Sequence, residues 1–280
     1  MIEGLYRLID TLLPFEWTEF AFMKNALLAI LLITPLFGLV GTMIVNNKLS
    51  FFSDALGHSA LTGIALGVLL GMDNYLLSML GFALVFAVGI CAVLRSRVSS
   101  ADTIIGVFSS TGMALGIVLL SASGGFAKFS AYLIGDILTV QASELKWLLL
   151  LLVVVVLLWQ FFFNRFLLAS LNTDLAPTKG IPTGVYQLAF MVVVAVLVTA
   201  TIKWVGILLI SSLLVLPAAG ARNIARSMRG YHFWSIGIAL VSGVAGLILS
   251  YYAGTAAGGT IVLVAAGIFF VTFLLGRRRA

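Results

Sequence analysis

The sequence predicts an all-α, polytopic membrane protein of about nine transmembrane helices, and three observations carry the prediction. Of 280 residues, 62% are hydrophobic and only 9% charged, a balance foreign to soluble domains of this length. Apolar runs of about 18 residues or more, enough to cross the hydrocarbon of a bilayer, recur from end to end. Basic residues gather in alternate gaps between those runs, as they do in multi-pass proteins. The net charge of +6 therefore reports membrane topology. No basic face interleaved with aromatics is present, so nucleic acid is excluded as a partner and the lipid bilayer is the expected one.

Residues 1–22 form the first segment. Ile2, Leu5, Ile9, Leu12 and Leu13 recur at helical spacing, which predicts an amphipathic helix lying on the membrane surface. A signal peptide is the poorer reading, because the start is acidic, the apolar core is broken by charges and no small-residue cleavage site follows. The runs that follow are Asn25 to Val45, Phe51 to Gly71, Tyr75 to Leu94, Thr103 to Ser121, Trp147 to Leu168, Tyr186 to Ile202, Val205 to Ala219, Phe233 to Tyr252 and Thr260 to Leu275. Phe129 to Val140 is apolar but short and interrupted by Gly135 and Asp136, which predicts a short or re-entrant helix. Gly63, Gly67 and Gly71, and again Gly112 and Gly116, are spaced for close helix contact. The single cysteine, Cys91, lies within a span and reads as packing. No aqueous domain interrupts the spans, so residues 1–280 are expected to make one transmembrane domain.

Nine spans place Lys48, Arg95, Arg97, Arg165, Lys179, Arg222, Arg226, Arg229 and Arg277 to Arg279 on one side. The positive-inside rule makes that side, and the C-terminus, cytoplasmic. The N-terminal segment, with Glu3, Asp10, Glu16 and Glu19, then lies outside.

Within this apolar chain, Asp54 and His58 stand four residues apart at the start of the second span. On a helix that spacing puts a carboxylate and an imidazole on one face, one turn apart, where both can hold the same cation. An ionisable group at the centre of a bilayer costs about 2.5–3.5 kcal/mol on insertion scales, and such groups commonly line a path or a site. The same residues can also make a polar pair between helices, or a helix start capped by Asp54. Thr62 extends the face by another turn as a possible pathway residue. Asp136 either faces such a path or satisfies the backbone of the broken segment. His232 reads as a solvated residue of a cytoplasmic loop, and Asp102 as a helix cap. One oxygen and one nitrogen donor are too few for zinc, which takes about four ligands. Two-fold pairing of the chain with a second copy completes the set, which predicts a homodimer.

Enzyme motifs are absent. There is no His-Glu-x-x-His, no nucleophile elbow and no phosphate-binding Gly-x-x-x-x-Gly-Lys-Ser/Thr loop. If ATP drives this chain, a separate subunit hydrolyses it, and no resident cofactor is expected.

Several stretches together carry a resemblance to a known family: Leu49 to Leu61, Asp102-Thr103-Ile104-Ile105-Gly106, Tyr132 to Val140, Val205-Gly206-Ile207-Leu208-Leu209-Ile210, Leu216-Pro217-Ala218-Ala219 and Ala257-Gly258-Gly259-Thr260-Ile261-Val262-Leu263. Over nearly its whole length the chain resembles the permease subunit of metal-ion ABC importers, the group serving zinc, manganese and ferrous iron. It looks closest to the zinc permeases, in the pattern Asp54-Ala55-Leu56-Gly57-His58 and in Asp174-Leu175-Ala176.

The resemblance implies a fold like the type II importers. It also implies two permeases joined to two cytoplasmic ATP-binding subunits, fed by an extracytoplasmic metal-binding protein in the bacterial cytoplasmic membrane. The family's metal-contacting aspartate and histidine fall on Asp54 and His58. Its ATPase-coupling loop falls on 170–183, where Asp174, Leu175 and Ala176 followed by Gly180 suggest a short helix with a glycine stop. Two features depart from the family pattern: Ser53 replaces the glycine usual before the key aspartate, and Pro177 and Pro182 stand in the coupling loop. A proton-coupled secondary transporter using Asp54 and His58 as a relay is the alternative from another class.

Overall fold

In a computed structural model, which describes residues 2–12, 15–96, 98–122, 135–171 and 182–277, every regular element is helical. Among the described residues there are ten α-helices: α1 Ile2–Leu12, α2 Ala21–Asn46, α3 Phe52–Leu69, α4 Tyr75–Arg95, α5 Ala101–Ala122, α6 Leu145–Leu171, α7 Thr183–Val205, α8 Ile207–Ile224, α9 Met228–Ala253 and α10 Ala257–Arg277. Single 3₁₀ turns occupy Glu16–Glu19 and Ile137–Thr139. Among the described residues, α2 to α10 are the nine helices long and apolar enough to cross a membrane, and they coincide with the nine runs read from the sequence.

Helix ends follow local chemistry. Asn74 caps α4 by accepting the Leu76 N–H at 3.0 Å, and Ser227 caps α9 by accepting from Gly230 at 3.1 Å. At α5 the cap is Ser100, whose Oγ accepts the Thr103 N–H at 3.3 Å, so Asp102 is not the cap expected of it. It sits instead in the first turn, where its charge favours the helix dipole. The α7–α8 break falls on Gly206 (φ +77°). Gly135 (φ +62°) approaches the Gly206 backbone so closely that a side chain on it would overlap main-chain atoms.

The chain divides into two compact units. One comprises Met43–Gly135 and Leu158–Leu214. Here α3 packs chiefly on α5 and α4, and also on α7. Because lipid is as apolar as leucine, close backbone approach and buried hydrogen bonds must hold these helices together. Gly63 lies against Met79 of α4, where an added Cβ would meet its Cα at 2.7 Å. Gly116 similarly faces the Thr62 backbone, where an added Cβ would meet the nitrogen at 2.7 Å. Gly67 faces Ser78, and Gly112 faces Ser59 and Phe86. Gly71 departs from the packing role expected for it. It faces open space at φ +64° and ends α3, with Met72 N–H reaching back to Gly67 O at 2.9 Å. Cys91 is buried in α4, as packing.

The other unit comprises Met1–Thr42, Asp136–Leu157 and Val215–Ala280. Lys24, nearly buried at the start of α2, pairs with Asp10 of α1 at 2.6 Å. Gly38 of α2 accepts a hydrogen bond from the buried Ser235 hydroxyl of α9 at 2.6 Å. His232 is not the loop residue expected. It lies in the first turns of α9, half-buried, with Nδ1 at 2.9 Å from the Thr42 hydroxyl of α2. That hydroxyl's own hydrogen is directed to Leu39 O at 2.7 Å, which makes the imidazole N–H the donor.

Candidate functional site

The site begins where α2 stops. Lys48 takes the left-handed conformation (φ +56°) that ends a helix, and Leu49 N–H closes the turn on Ile44 O at 3.0 Å. Three residues on, α3 starts at Phe52, and Phe51 at its N-cap makes no side-chain cap. Asp54 lies in the first turn but is not the cap. Its carboxylate stands near the N-terminal end of the helix dipole, which favours negative charge.

One turn later His58 Nε2 lies 3.6 Å from Asp54 Oδ2. The side chains keep 30% and 42% of their accessible surface respectively, whereas most of α3 around them is buried. Zinc bonds of about 2.1 Å at tetrahedral angles set neighbouring ligand atoms about 3.4 Å apart. The pair is thus spaced close to the bite of a single metal ion. The other imidazole nitrogen, Nδ1, is buried without a hydrogen-bond partner among the described residues.

One further side chain meets this face. Gly57, between the pair, lies against the Ile207 side chain at the start of α8, in contact so close that a methyl group on residue 57 would overlap it. One turn along α8, the Ser211 hydroxyl donates to Ile207 O at 3.0 Å. Sequence reasoning missed the Gly57–Ile207 contact, which joins segments distant in sequence and so leaves no local signal.

The remaining expected residues are placed differently. Thr62 does not continue an open face: it is fully buried, and its hydroxyl donates to Gly112 O of α5. The accessible stripe stops at His58. Asp136 is exposed and caps the 3₁₀ turn, its Oδ1 accepting the Leu138 N–H at 3.0 Å. Of its two expected roles, the backbone one is the one observed. Within 129–140, Ile137–Thr139 form this single turn, and 129–134 lie outside the described residues. So does 172–181 of the expected coupling loop, with Asp174, Leu175, Ala176, Pro177 and Gly180. Pro182 immediately precedes α7, its carbonyl accepting from Val185 at 3.0 Å. Among the described residues, no group of three or more His, Cys, Asp or Glu could hold a metal ion. The arrangement brings together one oxygen and one nitrogen donor.

Comparison with known proteins bears on what this pair belongs to. A model of the ABC 3 transport family matches residues 19–276. The manganese import system permease protein ScaB of Streptococcus gordonii is 31% identical over 93% of this chain and 94% of its own length. The high-affinity zinc uptake system membrane protein ZnuB of Haemophilus influenzae is 30% identical over 93% of this chain and 99% of its own. Among solved structures, PsaBC from Streptococcus pneumoniae superposes with a TM-score of 0.79 at 30% identity, covering 98% of this chain and 95% of the matched one.

Proposed function

The chain belongs to the ABC 3 transport family, and on that footing we propose that it is the membrane permease of an ATP-driven importer that carries a divalent transition metal, Zn²⁺, into the cytoplasm between two copies of itself. It is a transport subunit and not itself an enzyme, in keeping with relatives named as permeases or membrane proteins of import and uptake systems. Two cytoplasmic ATPases and an extracytoplasmic metal-binding protein complete the assembly. The whole of 1–280 acts as one permease domain in the bacterial cytoplasmic membrane, with the C-terminus inside and the N-terminus outside.

The observation that carries the reading is the half-site itself. Asp54 and His58 present one oxygen and one nitrogen at the bite of a single ion, and no third acidic, histidine or cysteine donor joins them among the described residues. A second copy related by two-fold symmetry doubles this to two carboxylates and two imidazoles, a set that zinc accepts. Manganese is the second reading, favoured by the carboxylate share of that set and by the likeness to ScaB. In either case the ion enters between the copies, is held briefly and leaves inward as ATP-driven movement of the coupling loops alternates access.

The test is reconstitution of the purified complex. Native mass spectrometry is expected to find two permeases with two ATPases, and vesicles are expected to take up Zn²⁺ only with ATP and the binding protein. A transport-active complex holding one permease, or uptake driven by a proton gradient and indifferent to ATP, would overturn it.

A further inference from the structure

The amphipathic helix α1 is tied to α2 by polar contacts. The Tyr6 hydroxyl donates to Asn25 Oδ1, and Asp10 pairs with Lys24, whose ammonium also stands 5.5 Å from the centre of the Tyr6 ring. These ties hold α1 beside the first turns of α2, yet the two helices and the start of α6 leave a cavity of about 270 Å³. Six leucines line it, among them Leu5 of α1, Leu28 and Leu31 of α2 and Leu149 of α6, and its one charged lining residue is Lys146. All of these residues belong to one compact unit. Leu31 and Leu149 are 42% and 44% exposed, so the space opens to the surroundings of the helices, which in a membrane are hydrocarbon. Protein interiors keep few voids of such size, because atoms facing an empty space forfeit their dispersion contacts.

We propose that this cavity is a lipid site, taking one acyl chain of an anionic phospholipid whose headgroup phosphate is held by Lys146. The leucine side chains suit hydrocarbon and offer no hydrogen bond to a peptide. Lys146 stands in the first turn of α6 beside Trp147, which is 66% exposed. A tryptophan so placed sits at headgroup level, where an ammonium reaches a phosphate while its stem lies along the leucines. Lys146 takes no part in the ion pairs found among the described residues, so its charge is available to a lipid. The carboxylate of Glu144, two residues back, accepts the Gln141 N–H at 3.0 Å. In a zwitterionic phospholipid the amine offsets the phosphate, so the lysine favours a lipid of net negative charge. Once seated, the chain supplies α1, α2 and α6 with the packing that their own side chains leave out.

The experiment uses the purified permease complex, stripped of native lipid and titrated with phosphatidylglycerol or phosphatidylcholine of identical chains, with bound lipid counted by native mass spectrometry. One phosphatidylglycerol per permease chain is expected to be held roughly fivefold more tightly than phosphatidylcholine, the effect of one interfacial cation. Lys146→Gln is expected to erase that preference while both lipids still bind. Leu28→Trp, which fills the cavity, is expected to lose the tight lipid of either kind. Leu149→Trp fills it from α6 and takes over the test should the α2 variant fail to insert. No preference in the wild-type protein, or a preference unchanged in Lys146→Gln, would overturn the proposal at the headgroup. Tight lipid retained in the tryptophan variants would mark it as ordinary lipid around the helices and overturn the cavity as its site. A loss of permease copies in those variants with lipid retained would seat a second copy of the chain there instead, and detergent that neither lipid displaces would equally sink the idea.

Discussion

His58 and His232 are both helical, both half-buried and both one hydrogen-bond length or little more from a polar side chain, yet their surroundings differ in kind. His58 faces a carboxylate one turn back on its own helix and keeps nearly a third of its side-chain surface accessible. His232 faces a buried threonine hydroxyl on another helix, and that hydroxyl is in turn bonded to backbone. The first arrangement offers two metal donors in one direction. The second offers a neutral N–H bond that ties α9 to α2. A histidine in a membrane helix is therefore informative through its partner: an anion beside it prepares a cation site, and a neutral hydroxyl makes it an interhelical contact.

The sharpest way to break this comparison is to remove each ring in turn. His58→Ala is expected to reduce metal uptake to background while the complex still inserts and assembles, an effect beyond the roughly 100-fold seen for outer-shell changes. His232→Ala is expected to leave the uptake KM unchanged and to cost about 1 kcal/mol of stability, the value of one net hydrogen bond. Uptake assays paired with thermal unfolding in detergent check both. Equal transport loss from the two substitutions would erase the distinction.

Leu175→Glu tests the coupling role proposed for 170–183. An apolar side chain on a polar loop suits a socket on the ATPase, so the added charge is expected to abolish coupled transport and to weaken ATPase association. Co-purification and metal-stimulated ATP hydrolysis are the readouts. Lost transport with full association and full stimulation would remove the loop from the coupling role.

A smaller effect tests how tightly the His58 surroundings are built. Gly57→Ala adds one carbon where the Ile207 side chain already sits. Overpacking of this sort costs about 1–3 kcal/mol, so uptake is expected to fall roughly tenfold as α8 is pushed from the pair. Ile207→Ala in the same chain is expected to recover most of the loss, since contacting residues couple. Independent, additive effects in that double-mutant cycle would show that the contact does not shape the site.

The nine spans and the Asp54–His58 pair were legible in the sequence because both depend on local periodicity. A run of apolar residues long enough to span hydrocarbon has few folded alternatives, and a spacing of four fixes a shared helix face before any tertiary contact forms. Local capping was less certain, because Ser100 and Asp102 both suit a helix start. A one- or two-residue shift of that start decides between them. Direction around the helix was the next thing lost. Thr62 shares the face of His58 by spacing, but α5 packs against that turn and takes its hydroxyl. His232 looked solvated because it follows a basic stretch, yet only the packing of α9 on α2 shows that Thr42 receives it. Gly57 and Ile207 lie at the far end of the same scale. Each is unremarkable beside its own chain neighbours, and their meaning comes from a contact between segments distant in sequence. Periodicity says which residues share a face. Only the tertiary structure decides what that face meets, because helix packing in a membrane turns on close steric fit and on single hydrogen bonds, which no one segment encodes.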